Sequence, residues 1–301
     1  ANSWEWKTYT SMLNVTSMCG VDSLLWCGTE GGLFAFNKGT GTFSTWTNTE
    51  GLAYNFVTAV TYDEEGRIWI GFENGLIQRY DPVRSDWLLV REYINHRVES
   101  LALTGDTLFV GLDIGVSLYL VSGQEVKETY RHLGQKFHVE ISVHDIQFAG
   151  RKIWVATDEG VACASLDSPN LLDPESWEDF TATDGLPCNE VKSLVFFDDK
   201  IYASTGPTNG RLLQADLDAG EFVIVADGYA ESGTQAVDFL TVAGSDLYGL
   251  GFYGELLRYT GESWEQILPS YSSSDIRGVA YYDGGIYAIN KNGVTLYYEV
   301  P

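Results

Sequence analysis

Seven positions in the 301-residue chain carry side chains able to form a single ring: Thr16, Thr58, Glu99, His144, Lys192, Asp238 and Arg277. They recur at intervals of 39 to 48 residues, and each directly follows a Val or an Ile. Five in succession are ionisable and of mixed sign, so the position opposes burial unless its charges find partners. Such a ring serves either as an ion-pair network that satisfies itself or as a surface that grips a ligand by charge and hydrogen bonding. A second set stands two residues before a recurrent glycine: Glu30, Glu73, Asp113, Asp158, Thr208, Phe252 and Lys291. The first four are acidic, which makes one side of the same face negative and suited to a cation or a basic partner. Short acidic side chains also favour tight turns for purely local reasons. A third set approaches the ring from the preceding loops: Tyr54, Asn55, Phe56, His96, Arg97, Phe137, His138, Pro187, Asn189 and Ser273. Aromatics beside amides suit stacking on sugar rings with hydrogen bonds to hydroxyls, or else they cap the core. Ligand binding is therefore expected from Glu99, His144, Lys192, Asp238, Arg277, Tyr54, Asn55, Arg97, His138 and Asn189.

Catalysis finds less material. The four histidines are His96, His132, His138 and His144. His138, Glu140 and His144 alternate as if toward one side, but the first two precede the strand that carries His144 and need not share its direction. No metal and no cofactor is assigned. The chain has no G-x-S-x-G elbow, H-E-x-x-H pair or phosphate-binding glycine loop. The adjacent carboxylates Asp198 and Asp199 fall in a turn expected on the opposite face. The expectation is a protein that is not an enzyme.

Positioning such rings takes a repeated element. Seven segments share an aromatic within an apolar triplet and then a polar turn closed by glycine: LLWCGTEGGL, RIWIGFENGL, TLFVGLDIGV, KIWVATDEGV, KIYASTGPTNGRL, DLYGLGFYGEL and GIYAINKNGV. Their aromatics are Trp26, Trp69, Phe109, Trp154, Tyr202, Tyr248 and Tyr287. Eleven residues before each aromatic, or twelve before Trp69, an inner strand begins at Val15, Val57, Val98, Val143, Val191, Val237 or Ile276. Alternating β-branched and aromatic residues between glycine turns read as hairpins, four strands to a unit. This period predicts an all-β fold, a seven-bladed β-propeller with four-stranded antiparallel blades. The seventh unit, residues 276–300, is one strand short. The opening SWEWKTYT matches the unit-ending SWEDFTAT and SWEQIL, so a strand over residues 3–10 is expected to complete that blade and close the ring. The whole chain, 1–301, reads as one propeller domain.

Composition bounds the partners. A net charge of −24 repels phosphate backbones and anionic membrane surfaces, so nucleic acid is not an expected partner. No apolar run is long enough for a membrane-spanning helix, and no membrane insertion is expected. Ala1-Asn2-Ser3 is compatible with the expectation of a mature terminus left after cleavage behind a small residue. Cys19, Cys27, Cys163 and Cys188 form no C-x-x-C pair and read as unpaired core residues rather than as a structural disulfide. Asn14-Val15-Thr16 matches a glycosylation sequon, but Thr16 begins an inner strand and is read as structural.

The units resemble the two-component-regulator type propeller repeat, whose pattern runs G-L-P-x-N-x-V followed by D-x-x-G-x-x-W-h-G-T-x-x-G-L. The best matches are EGLAYNFVTAVTYDEEGRIWIGFENGL, DGLPCNEVKSLVFFDDKIYAST and EGGLFAFNKGTGTFSTWT. The resemblance spans the chain, strongest in its first two units, and Asn55 and Asn189 fall on the pattern's Asn. It implies a periplasmic or extracellular (secreted) recognition or sensor domain. Its ligand is expected to be a carbohydrate, peptide or protein bound at the channel mouth. Two alternatives stay open: a surface assembly module that links chains by strand addition, and a metal-dependent propeller hydrolase or lyase.

Overall fold

The computed structural model describes residues 10–205, 212–216, 222–226, 237–251, 255–261, 263–269, 276–290 and 293–300. Seven antiparallel sheets follow one another along the chain. Sheet one comprises Val15–Val21, Leu24–Thr29, Gly32–Asn37 and Thr42–Trp46. Sheet two has Val57–Tyr62, Ile68–Phe72, Ile77–Asp81 and Asp86–Val90. Sheet three has Val98–Thr104, Thr107–Leu112, Gly115–Leu120 and Glu125–Tyr130. Sheet four has Val143–Ala149, Lys152–Thr157, Gly160–Ser165 and Trp177–Phe180. Sheet five has Val191–Phe197, Lys200–Thr205, Leu212–Asp216 and Val223–Ala226. Sheet six has Val237–Ala243, Asp246–Gly251, Leu256–Tyr259 and Trp264–Leu268. Sheet seven has three strands, Ile276–Tyr282, Gly285–Asn290 and Gly293–Glu299.

This is an all-β propeller of four-stranded antiparallel blades, but six blades are complete where the sequence predicts seven. The difference lies in the strand assigned to residues 3–10, which, save Thr10, falls outside the described residues. The first strands of successive sheets neighbour one another around an axis, and that of sheet seven also neighbours that of sheet one. All seven begin at the Val or Ile named from the sequence.

The repeated aromatic explains the stacking. Trp26, Trp69, Phe109, Trp154, Tyr202, Tyr248 and Tyr287 are all buried in the apolar layers that hold sheet to sheet. The glycine two residues after Trp26 and Trp69 is needed for the same contact. A Cβ on Gly28 would lie 2.4 Å from Val57 Cγ1, and one on Gly71 would lie 2.4 Å from Val98 Cγ1, each on the next sheet. The D-x-x-G-x-x-W pattern has a local cause too: Trp69 Nε1 donates to Asp63 at 3.0 Å, and Arg67 Nε to the same carboxylate at 2.7 Å. Burial pushes the Cys19 and Cys163 thiols up to about 12, which leaves them packing residues. The four cysteines are unpaired.

Candidate functional site

The seven ring residues share a backbone feature that the sequence did not reveal. In each inner strand the residue after the first Val or Ile is an extra residue, skipped by the pairing with the second strand. Val15 pairs with Thr29 and Ser17 with Gly28, which leaves Thr16 over. The same shift leaves over Thr58, Glu99, His144, Lys192, Asp238 and Arg277. A β-bulge bends the strand and re-aims a side chain. Here it also cancels the alternation that would send neighbouring residues to opposite faces. Consecutive residues therefore line one central cavity of about 190 Å³: Thr16, Ser17 and Met18, His144 and Asp145, Lys192 and Ser193, with Phe239, Leu240, Gly278 and Val279.

The ring also ties sheet to sheet. Thr16 Oγ1 donates to Val57 O at 2.7 Å, Val60 N donates to Ser17 Oγ at 3.0 Å, and Leu194 N donates to Asp145 Oδ2 at 2.9 Å. Asp145 accepts from Ile146 N as well, at 2.8 Å. Burial outweighs these donors and pushes its carboxyl up to about 6. Asp145 and Ser17 are not among the residues the sequence singled out, and only the pairing shift brings them to the cavity.

The second set lies where expected for its first four members. The turn after each second strand is held against the entry to the inner strand: Glu30 N donates to Asn14 O, Glu73 N to Phe56 O, Asp113 N to Arg97 O and Asp158 N to Ser142 O, at 3.1 to 3.4 Å. The acidic side chains serve as local partners. Asn14 Nδ2 donates to Glu30 at 2.8 Å, His96 Nδ1 lies 3.2 Å from Asp113, and His144 Nε2 lies 2.7 Å from Asp158. Thr208, Phe252 and Lys291, like Ser273 of the third set, fall outside the described residues.

The ten expected ligand contacts divide accordingly. Glu99 pairs with Arg97 at 3.0 Å, and the Arg97 guanidinium sits 5.6 Å from the centre of the Phe56 ring. Lys192 pairs with Glu190 at 2.5 Å. Asp238 and Arg277 hold the bulge position in sheets six and seven, with side chains outside what is described. Tyr54 is 38% exposed on its loop. His138 projects into solvent with its side chain 87% exposed, and it pairs with Glu159 at 2.5 Å. Glu140 pairs with Arg131, so the alternating His138, Glu140 and His144 do not converge on one point.

Asn55 and Asn189 each hold their own loop together. Asn55 Oδ1 accepts from Asn48 N at 2.8 Å, and Asn189 Oδ1 accepts from Ala182 N at the same distance. Both lie in the same small structure. Thr47 donates to Glu50, Thr181 pairs with Asp184, a glycine of positive φ follows, and Leu52 and Leu186 are buried behind it. The G-L-x-x-N pattern encodes this folded loop, with the amide carbonyl turned inward to backbone N–H.

With this geometry in view, comparisons place the chain among known proteins. A family model described as the PorZ (type-IX secretion) N-terminal β-propeller domain matches residues 25–178, just over half of the chain. Among solved structures, PorZ of Porphyromonas gingivalis superposes over 98% of the chain with a TM-score of 0.74 and 16% identity. It is described as an essential bacterial surface component of the type-IX secretion system. The extracellular domain of BT4673 from B. thetaiotaomicron, a hybrid two-component system, superposes over 95% with a TM-score of 0.73 and 18% identity. The chain spans 38% of the length of each of these structures. The WD40 propeller of Doa1 reaches a TM-score of 0.73 at 13% identity over 95% of the chain and 93% of its own length. No curated protein sequence matches the chain.

Proposed function

The chain belongs to the PorZ N-terminal β-propeller family, and on that premise we propose that it is a non-enzymatic recognition propeller acting in the periplasm or at the cell surface. Its binding face is the mouth of the central channel, and its ligand is another protein. One observation carries the reading. All seven inner strands bulge at the same place, the bulge position is held by Glu99, His144, Lys192, Asp238 and Arg277 in five of them, and His144 and Lys192 line the central cavity. A mosaic of both signs matches a folded protein surface better than a single sugar or a uniformly charged polymer. PorZ is a surface component of a secretion system and BT4673 has an extracellular domain, so a partner within a secretion assembly at the cell surface is the first candidate. No helix among the described residues is long and apolar enough to cross a membrane.

Site-specific photo-crosslinking tests the reading. A crosslinker replacing Lys192 should trap a discrete protein partner, and one replacing Tyr62, at the other end of an inner strand, should not. Adducts from position 62 alone, or a glycan ligand with no protein adduct, would refute it.

A second reading rests on the seventh sheet, which has three strands among the described residues. Pairing of residues 3–10 with their own sheet makes the chain a closed seven-bladed domain. Pairing with a neighbour's sheet makes it an assembly module. We favour self-closure because the first strands of sheets one and seven already lie side by side. Sedimentation at high concentration separates the two, and concentration-dependent oligomers would support assembly.

A further inference from the structure

Three metal-competent side chains meet at the seam between sheets four and five. His144 stands on the bulge of sheet four, and Asp158 lies in the turn after that sheet's second strand. Glu190 immediately precedes the inner strand of sheet five. One ligand atom from each lies within 4.8 Å of the others, and the closest pair is His144 Nε2 and Asp158 Oδ1 at 2.7 Å. Among the described residues no other set of three His, Cys, Asp or Glu donors converges in this way. Sheet three shows what the convergence adds: His96 and Asp113 repeat the pair at 3.2 Å but gain no third donor. The ring residue there is Glu99, which pairs with Arg97 instead.

We propose that His144, Asp158 and Glu190 form a site for a zinc-class divalent cation that links sheet four to sheet five. One imidazole and two carboxylates are a mixed nitrogen and oxygen set, which favours zinc and its first-row neighbours over calcium or magnesium. Three protein ligands with an open position is a common zinc arrangement. Donors bound tetrahedrally about 2.1 Å from zinc lie roughly 3.4 Å apart, so the observed 4.8 Å envelope closes with shifts of about 1 Å. The Asp158 and Glu190 side chains are about half exposed and have the freedom to make that move. His144, one of the three donors, also lines the central cavity. Lys192, 2.5 Å from Glu190, supplies the countercharge in the metal-free state and competes with the cation for that carboxylate.

Lys192 makes the proposal testable in two directions. Isothermal titration of the metal-stripped protein with zinc chloride alone should give one saturable equivalent. His144→Ala and Glu190→Gln should each weaken that equivalent about tenfold or more, whereas Lys192→Met should tighten it. Circular dichroism confirms that each variant is folded, and cobalt(II) should give a visible ligand-field spectrum that His144→Ala abolishes. Absence of a stoichiometric equivalent, or an equivalent that either weakening variant leaves intact, overturns the proposal and marks the binding as general association with an acidic surface. Only metal and protein are present, so either result leaves the partner-binding reading to its own test.

Discussion

Asp145 offers the sharpest test of the axial architecture. Its carboxylate is held between sheets four and five, where it accepts from Leu194 N and Ile146 N, yet burial places its pKa at about 6 against an ordinary 3.8. A folded value above the unfolded one means that the folded state binds the proton more tightly. Ionised Asp145 therefore costs stability above about pH 6, the cost fades as pH falls through that value, and it is gone below 3.8. A displacement of roughly two units corresponds to about 3 kcal/mol, an upper figure for a side chain that keeps some solvent contact.

The perturbation is Asp145→Asn. The amide keeps one acceptor oxygen where the carboxylate has two, so one backbone N–H loses its partner, at about 1–3 kcal/mol. That loss does not vary with pH, whereas the charge cost does. The quantity to read is the difference in unfolding free energy between variant and wild type, from urea melts between pH 4 and pH 8. It should move in the variant's favour by up to about 3 kcal/mol as pH rises through the window from 3.8 to about 6. The other carboxylates are common to both proteins and cancel. Parallel curves across this window would show that Asp145 is solvated like a surface acid and that the seam is not closed around it.

Three further outcomes follow from the same contacts. Gly71→Ala should lower stability by about 1–3 kcal/mol, because its Cβ would lie 2.4 Å from Val98 Cγ1. Adding Val98→Ala should cost less than the two single losses summed, and strict additivity in denaturant melts would refute the sheet-to-sheet contact. Asn189→Ala should cost about 1 kcal/mol of stability through the lost bond to Ala182 N and leave partner affinity unchanged. Equal stability with weaker binding would return Asn189 to the ligand site. Removal of residues 3–10 should lower the thermal midpoint and promote association through the open edge of sheet seven, with a synthetic SWEWKTYT peptide reversing both; a monomer of unchanged midpoint would exclude closure by that segment.

What the sequence made legible was whatever a repeat must state in every copy. The start of each inner strand is one, because an apolar β-branched residue is needed wherever a strand meets its neighbour near the axis, and the six valines at this position are fully buried. The buried aromatic eleven or twelve residues later is another. The bulges were not legible, since an extra residue in a strand leaves the composition unchanged and shows only as a slip in pairing. That slip hid Asp145 and Ser17, which simple alternation along a strand would send to the face opposite Thr16 and His144. The loop bonds of Asn55 and Asn189 were hidden for a related reason: an amide in a motif looks the same whether its oxygen meets a ligand or a backbone N–H. The short 3-10 turns at Pro174–Ser176 and Ala182–Asp184 were also missed, being fixed by single capping contacts rather than by periodicity.

The partners of the ring residues bear on how the face would recognise anything. Glu99 has Arg97, Lys192 has Glu190 and His144 has Asp158, each supplied by the same sheet's own loops within about 3 Å. Locally paired charges project little field, and an overall charge of −24 gives attraction at a distance only toward basic surfaces. A ligand must therefore exchange these pairs one for one, meeting Glu99 with a cation while offering an acceptor to Arg97. Any partner lacking the matching pattern leaves charges desolvated and unpaired, at several kcal/mol. Discrimination on such a face comes from the cost of a mismatch more than from the gain of a match. Reversing one charge alone should accordingly weaken binding more than neutralising both members of a pair, and the Arg97–Glu99 pair, with its Phe56 platform, is the place where the comparison is cleanest.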